Sequence, residues 1–234
     1  MRKEQLKIGQ VDIEVTFKPI KNLHLSVHPP KGHVTIASPE FYDLEKVKIY
    51  AATKLAWIKR EQRKFKEQPR EEPRLYVNRE SHYLFGERYL LKLIGATKNK
   101  VQPEGKNLTI YTKNTNDKAL LEKQLYAYYR NELRGRLQVM IEKYAKQMDI
   151  EVPAFKIRKM KTKWGSCATD HSRIWFNIEL AKKPLDCIEY IVVHELVHLL
   201  ERNHNKRFIA LMDQFLPNWR LQKKILNELP LSAN

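Results

Sequence analysis

The chain has 234 residues and a formal charge of +17, from 44 Lys and Arg against 27 Asp and Glu. Its two cysteines argue against a disulfide framework, and no apolar run reaches the length of a membrane-spanning helix. Met1-Arg-Lys-Glu4 shows no signal pattern, so the expectation is a soluble cytoplasmic protein with one large domain or two small ones.

The chain divides near residue 113. Before that point lie short alternating segments: Val11–Phe17, Leu23–Val27, Val34–Ala37, Tyr83–Phe85, Tyr89–Ile94 and Leu108–Tyr111. They read as strands, with Gly32, Gly86 and Gly95 as turns. Between them, Ser38-Pro39 opens a helical stretch to about Gln68, broken by Pro69 and Pro73, in which Trp57 reads as a packing residue. Asn114-Thr-Asn-Asp117 reads as a linker or helix start. From Leu120 to Met148, Leu121, Leu125, Tyr128, Leu133, Leu137, Met140, Ile141 and Tyr144 predict one long amphipathic helix, with Gly135 as its weak point. Strands near 155–163 and 173–179 follow, then a helix rich in histidine, then a helical C-terminus. No internal repeat is visible in the sequence. The fold class expected is α+β: a β-rich region with one long helix over 1–113, and a second compact region over 114–234.

The histidine helix carries the chemistry. Pro184 suits its first turn, and neither proline nor glycine interrupts the run to His204. Ile188, Ile191, Val192 and Leu199 recur at helical spacing and would bury one face. His194-Glu195-Leu-Val-His198 places two imidazoles four residues apart, on one helical face, where both can hold a single zinc ion. Glu195 is one residue round from His194, where its carboxylate can reach water beside the metal.

A catalytic zinc needs a third protein ligand and one open position. Glu201 and His204 are the candidates. On a continuous helix Glu201 lies about 10 Å along the axis from His194, too far to share its metal. His204 serves if the helix ends near Arg202-Asn203 and the chain turns back, with Asn203 in the left-handed conformation. The interval from His198 to His204 equals that of the long H-E-x-x-H-x-x-G-x-x-H motif, although Glu201 stands at its glycine position. We prefer His204.

Lys161-Thr-Lys-Trp-Gly-Ser-Cys167, then Asn177, then the histidine segment through His204 and Phe208, resemble the YgjP-like metallopeptidase family, a relative of the SprT-like zinc proteases. The resemblance extends to Ile20-Lys-Asn-Leu-His24 and Ser81-His-Tyr-Leu-Phe-Gly86, and so covers most of the chain. It implies a zincin-type core over 114–234, Zn2+ on His194, His198 and His204, and Glu195 as general base. The sequence departs from the family at Asn205, where serine is common, and at Glu179, where arginine is common.

The remaining candidates concern substrate. Residues 173–179 are expected to form a strand edge that pairs with an extended peptide, and Trp164, Gly165 and Asn177 are candidate substrate-binding residues. Asn177 has a second reading, satisfying backbone groups at the strand end. His171 lies between the two strands, within reach of the site or in a surface turn. Cys167 lacks a local base for a nucleophilic role, and Cys187 is expected to pack on the helix. His24, His28, His33 and His82 have no expected metal role.

The basic excess is spread over both halves, with concentrations at Lys59-Arg60, Arg63-Lys64 and Lys66, and at Lys156, Arg158, Lys159, Lys161 and Lys163. As a strand, Lys159, Lys161 and Lys163 would line one face and lead into Trp164, a surface suited to an acidic partner or a nucleic-acid backbone. A solvated, solubilising surface is the other reading. Two functions are therefore expected to compete. One is a zinc peptidase acting on a protein or peptide, including proteins associated with nucleic acid. The other is a basic nucleic-acid or partner-binding module with a structural zinc and no protease activity.

Overall fold

Strict alternation of apolar and polar residues builds the first sheet of the computed structural model, which describes residues 2–28, 32–67, 72–161, 163–168 and 173–229. The strands are β1 (Lys3–Ile8), β2 (Val11–Lys18), β3 (His24–His28) and β4 (His33–Pro39), in the order β1-β2-β4-β3. Val11, Ile13, Val15 and Phe17 of β2 all face inward, where Val34 and Ile36 of β4 meet Val47, Ala51 and Ile58 from two helices. Those helices are α1 (Leu44–Thr53) and α2 (Leu55–Glu67). The expected helix start at Ser38-Pro39 is displaced: both residues end β4, paired with Phe17 and Lys18. Asp43 supplies the N-cap instead, its carboxylate accepting from Lys46 N–H at 2.7 Å.

A second sheet follows, from β5 (Ser81–Leu84), β6 (Glu87–Gly95), β7 (Lys100–Glu104) and β8 (Asn107–Thr112), in the order β5-β6-β8-β7. The sequence reading lacks β7. Pro103 and flanking charges obscure it, and it is an edge strand, where a proline removes no internal ladder bond. Next comes α3 (Lys118–Met148), capped by Asp117, whose carboxylate accepts from Leu120 N–H at 3.0 Å. The helix passes unbroken through Gly135 and buries Leu121, Leu125, Tyr129, Leu133, Leu137, Ile141, Tyr144 and Met148. Leu133 and Leu137 are fully buried, so truncating either to alanine should cost about 2–5 kcal/mol.

The last sheet is short: β9 (Phe155–Arg158), β10 (Gly165–Cys167) and β11 (Ile174–Asn177), in the order β10-β11-β9. Two expectations change here. β9 stops at Arg158, not 163, and β11 is the central strand, so residues 173–179 are not an edge. The reason for the first is Asn177. Its amide donates to the carbonyls of Met160 and Lys163 at 2.9 and 2.8 Å and accepts from Met160 N–H at 3.3 Å, holding that segment off the ladder. A 3-10 turn, Ile178–Lys182, leads into α4 (Leu185–Leu200), followed by α5 (Lys206–Phe215) and α6 (Trp219–Glu228).

The chain separates into two compact units, dividing between Glu71 and Glu72. This differs from the boundary near 113 expected from composition. Leu84, Leu91, Leu108 and Ile110 of the second sheet share one apolar core with α3 and α4, whereas the first sheet closes its own core with α1 and α2. Alternating strands look alike in sequence whichever core they enter. No helix among the described residues is long and apolar enough to cross a membrane.

Candidate metal centre

Helix α4 is apolar nearly all round: Cys187, Ile188, Val192, Val193, Leu196 and Val197 are fully buried. Such a helix belongs inside a core, and it carries His194, Glu195 and His198 with it. It ends sooner than expected. Glu201 is extended, with φ −147° and ψ 112°, and Asn203 is not among the residues of positive φ. Glu201 itself makes the turn, its carboxylate accepting from Asn203 N–H at 3.1 Å, an interaction that holds its carboxyl below the usual range. The chain then returns, and Asn205 caps α5 by accepting from Phe208 N–H at 3.0 Å. Asparagine does at this cap what serine would do, which gives the departure at Asn205 a physical account.

The return brings His204 back beside α4. Ring centroids lie 4.9 Å apart for His194–His198, 5.0 Å for His194–His204 and 4.8 Å for His198–His204. Phe208 forms the floor, within 4.6–5.1 Å of all three rings. One nitrogen from each histidine falls within 4.8 Å of the others. Glu201 is not part of this set.

These donors fit a metal cation on three counts. Burial, then the neighbouring histidines, pushes His194 down to about 3, and burial also lowers His198, so both rings stay neutral with a lone pair to offer. The ring of His198 is fixed by its Nδ1–H, which donates to the Glu201 carbonyl at 3.2 Å and leaves Nε2 free. Finally, Nε2 of His194 and of His204 lie 3.2 Å apart. A tetrahedral ion with bonds of about 2.0–2.1 Å has donor pairs about 3.3–3.4 Å apart.

Glu195 stands next to this cluster, 4% exposed, and burial pushes its carboxyl up to about 7. The Cys167 N–H hydrogen bond and the Lys163 charge act against that rise. Its Oε2 is buried without a hydrogen-bond partner among the described residues. A methyl group on Gly165 would fall 2.5 Å from Glu195 Oε1, so the glycine of the Trp-Gly-Ser-Cys segment is there to let the carboxylate lie against β10.

A cleft of about 460 Å³ opens on the histidines, lined by 163–168 on one side and by Tyr190, Ile191, His194, Glu195, His198, Arg202 and His204. Of the residues expected to meet substrate, Trp164 and Gly165 line it. Asn177 does not; it is 4% exposed and engaged with Met160, Lys163 and Glu179 N–H, the second of its two readings. Glu179 is also buried, accepting from Tyr126 O–H and pairing with Lys182, both at 2.7 Å. His171 lies outside the described residues. Sequence reasoning missed Tyr190 and Arg202. Tyr190 sits one turn before His194 on the same stripe, a spacing that could have found it. Arg202 follows from the early end of α4, which the sequence does not announce.

Residues 21–229 match the family described as YgjP-like, metallopeptidase domain. Among solved structures, the metallopeptidase zymogen jannalysin of Methanocaldococcus jannaschii is similar at 20% identity, covering 40% of this chain and 97% of its own, with a TM-score of 0.34. Comparison with curated proteins gave no match. The family match spans most of the chain, which therefore belongs to the YgjP-like metallopeptidases.

Proposed function

We propose that this YgjP-like metallopeptidase is a zinc-dependent hydrolase of peptide bonds, with His194, His198 and His204 as ligands and Glu195 as general base. The observation that carries the reading is Glu195: a buried carboxylate with one oxygen unpartnered, beside three converging imidazoles. A purely structural metal site has no use for it.

When bound, zinc supplies Lewis acidity, which makes water nucleophilic near neutral pH and polarises a carbonyl oxygen. The protein does the rest. Glu195 takes a proton from the attacking water as the oxygen joins the peptide carbon, and delivers it to the amine as the C–N bond breaks. Cys167 N–H holds the carboxylate in place.

β10 is the natural substrate strand. Ala168 N–H donates to Arg173 O at 2.9 Å and Trp164 O accepts from Asn177 N–H at 2.8 Å, so even-numbered residues face β11. Gly165 and Cys167 therefore turn their peptide groups the other way; Cys167 N–H is taken by Glu195, so an extended peptide would pair with the peptide groups of Gly165. Trp164 and Gly165 would border it. The zincin-type arrangement of this core belongs to the same reading. Two free cysteines suit a reducing compartment, and the cytoplasm is the compartment proposed.

The alternative, a basic nucleic-acid or partner-binding module with a structural metal, is favoured by the charge of +17. Glu195→Gln separates the two. The variant should keep its metal and lose hydrolysis of a quenched fluorescent peptide by roughly 10²–10⁴-fold. Unchanged turnover would remove Glu195 from the mechanism.

A further inference from the structure

The outward face of the β9-β11-β10 sheet has no part in the proposed chemistry, yet it is built around one aromatic ring. β11 alternates: Ile174 and Phe176 are fully buried, whereas Trp175 between them is half-buried and points to the other face. β9 alternates in step, with Ile157 inward and Lys156 and Arg158 exposed. Lys156, Trp175 and Ser166 are cross-strand partners, in one row over the three strands. Three cations converge on the ring: Arg158 at 4.4 Å from its centroid, Arg173 at 5.7 Å and Lys156 at 5.9 Å. Arg173 Nε is buried without a hydrogen-bond partner among the described residues. None of the three strands carries an acidic residue.

We propose that this face binds single-stranded nucleic acid. Lys156 and Arg158 of β9 and Arg173 just before β11 gather on one ring, and neither strand supplies a carboxylate, so the face is complementary to an anionic partner. Phosphates are such partners. The ring narrows the choice further, because an unpaired base can stack on the aromatic and guanidinium groups that Trp175 and Arg158 bring together. A duplex keeps its bases stacked internally and offers the ring nothing. An acidic peptide would use the cations and ignore the ring.

The position of the face gives binding a consequence. Ser166, the partner of Trp175, also lines the cleft that holds Glu195. Neighbouring strands lie about 4.8 Å apart, so a polynucleotide on Trp175 would run along the rim of the cleft. Proteins carried on that polynucleotide would be presented to the metal centre. The surface corrects the expectation from Lys159, Lys161 and Lys163, which lie beyond the end of β9. The basic row is instead Lys156, Arg158 and Arg173.

The test is fluorescence anisotropy of the full chain with a twenty-residue oligothymidylate across a range of salt. Trp175→Ala should weaken binding roughly 5- to 150-fold, the loss of one stacked base. Reversing all three cations (Lys156→Glu, Arg158→Glu, Arg173→Glu) should reduce the salt slope by roughly 2, from about 0.7 per phosphate contact. Exposed Lys156→Glu alone guards against misfolding and should reduce it by roughly 0.7. Metal content and cleavage of a free peptide should not change, since none of these side chains lines the cleft. Native-like binding by Trp175→Ala and the triple variant would overturn the proposal. So would displacement of the oligonucleotide by polyglutamate as readily as by unlabelled oligothymidylate.

Discussion

The first and second sheets have one topology and two uses. Each is a pair of antiparallel hairpins joined through a parallel central pair, β2 with β4 and β6 with β8. Each begins with a hairpin closed by two residues, Gly9-Gln10 in one and Phe85-Gly86 in the other. In the first, a methyl group added to Gly9 would meet nothing within 4 Å. In the second, the turn is a docking point. Phe85 N–H donates to Ala181 O at 2.8 Å, and a methyl group on Gly86 would lie 3.1 Å from Pro184 Cα, at the start of α4. Phe85 holds φ at +51°, a conformation that a bulky residue adopts only under constraint, and the bond to Ala181 supplies that constraint. Identical strand order thus says little about function. The second sheet meets the metal helix through their shared apolar core and through the two residues of this turn.

That comparison can be broken by small substitutions. The largest effect is expected closest to the site: Gly165→Ala forces Glu195 aside and should lower turnover by roughly 10²-fold while metal content holds. Retained turnover would mean that β10 does not set the position of the base. Next is Gly86→Ala, where positive φ and the contact with Pro184 combine; thermal or urea unfolding should show a loss of about 2 kcal/mol or more, with turnover reduced as well. A smaller effect is expected at Asn205. Alanine should cost about 1 kcal/mol and weaken metal retention, whereas serine should restore the cap to within a few tenths. Smallest is Gly9→Ala, about 1 kcal/mol of backbone strain with turnover unchanged. Equal behaviour of the Gly9 and Gly86 variants would erase the distinction between the two turns.

Much of the site was legible because helical spacing is local information. His194, Glu195 and His198 share one stretch of helix, and an apolar run around them marks a buried element. The return of His204 was readable as a requirement, but not its mechanism. A left-handed Asn203 was expected, and an extended Glu201 with its carboxylate on Asn203 N–H makes the turn instead. The less legible features depend on contacts between distant segments. Asn177 is tied by side-chain hydrogen bonds to backbone 14–17 residues away, which shortens β9 and turns a substrate candidate into a clamp. Gly165 earns its place through Glu195, 30 positions later (195 − 165), and no pattern within the segment reveals it. The shared topology of the two sheets left no trace in the residues themselves, because the parallel pairs β2 with β4 and β6 with β8 join segments that are not neighbours in sequence.

The most direct measurement is metal content per chain, by elemental analysis, for the native protein, His204→Ala and Glu201→Ala. The account predicts about one zinc in the native chain, loss or weakening in His204→Ala, and retention in Glu201→Ala, whose carboxylate serves the turn. No zinc in the native chain after reconstitution, or loss from Glu201→Ala with retention in His204→Ala, would contradict it.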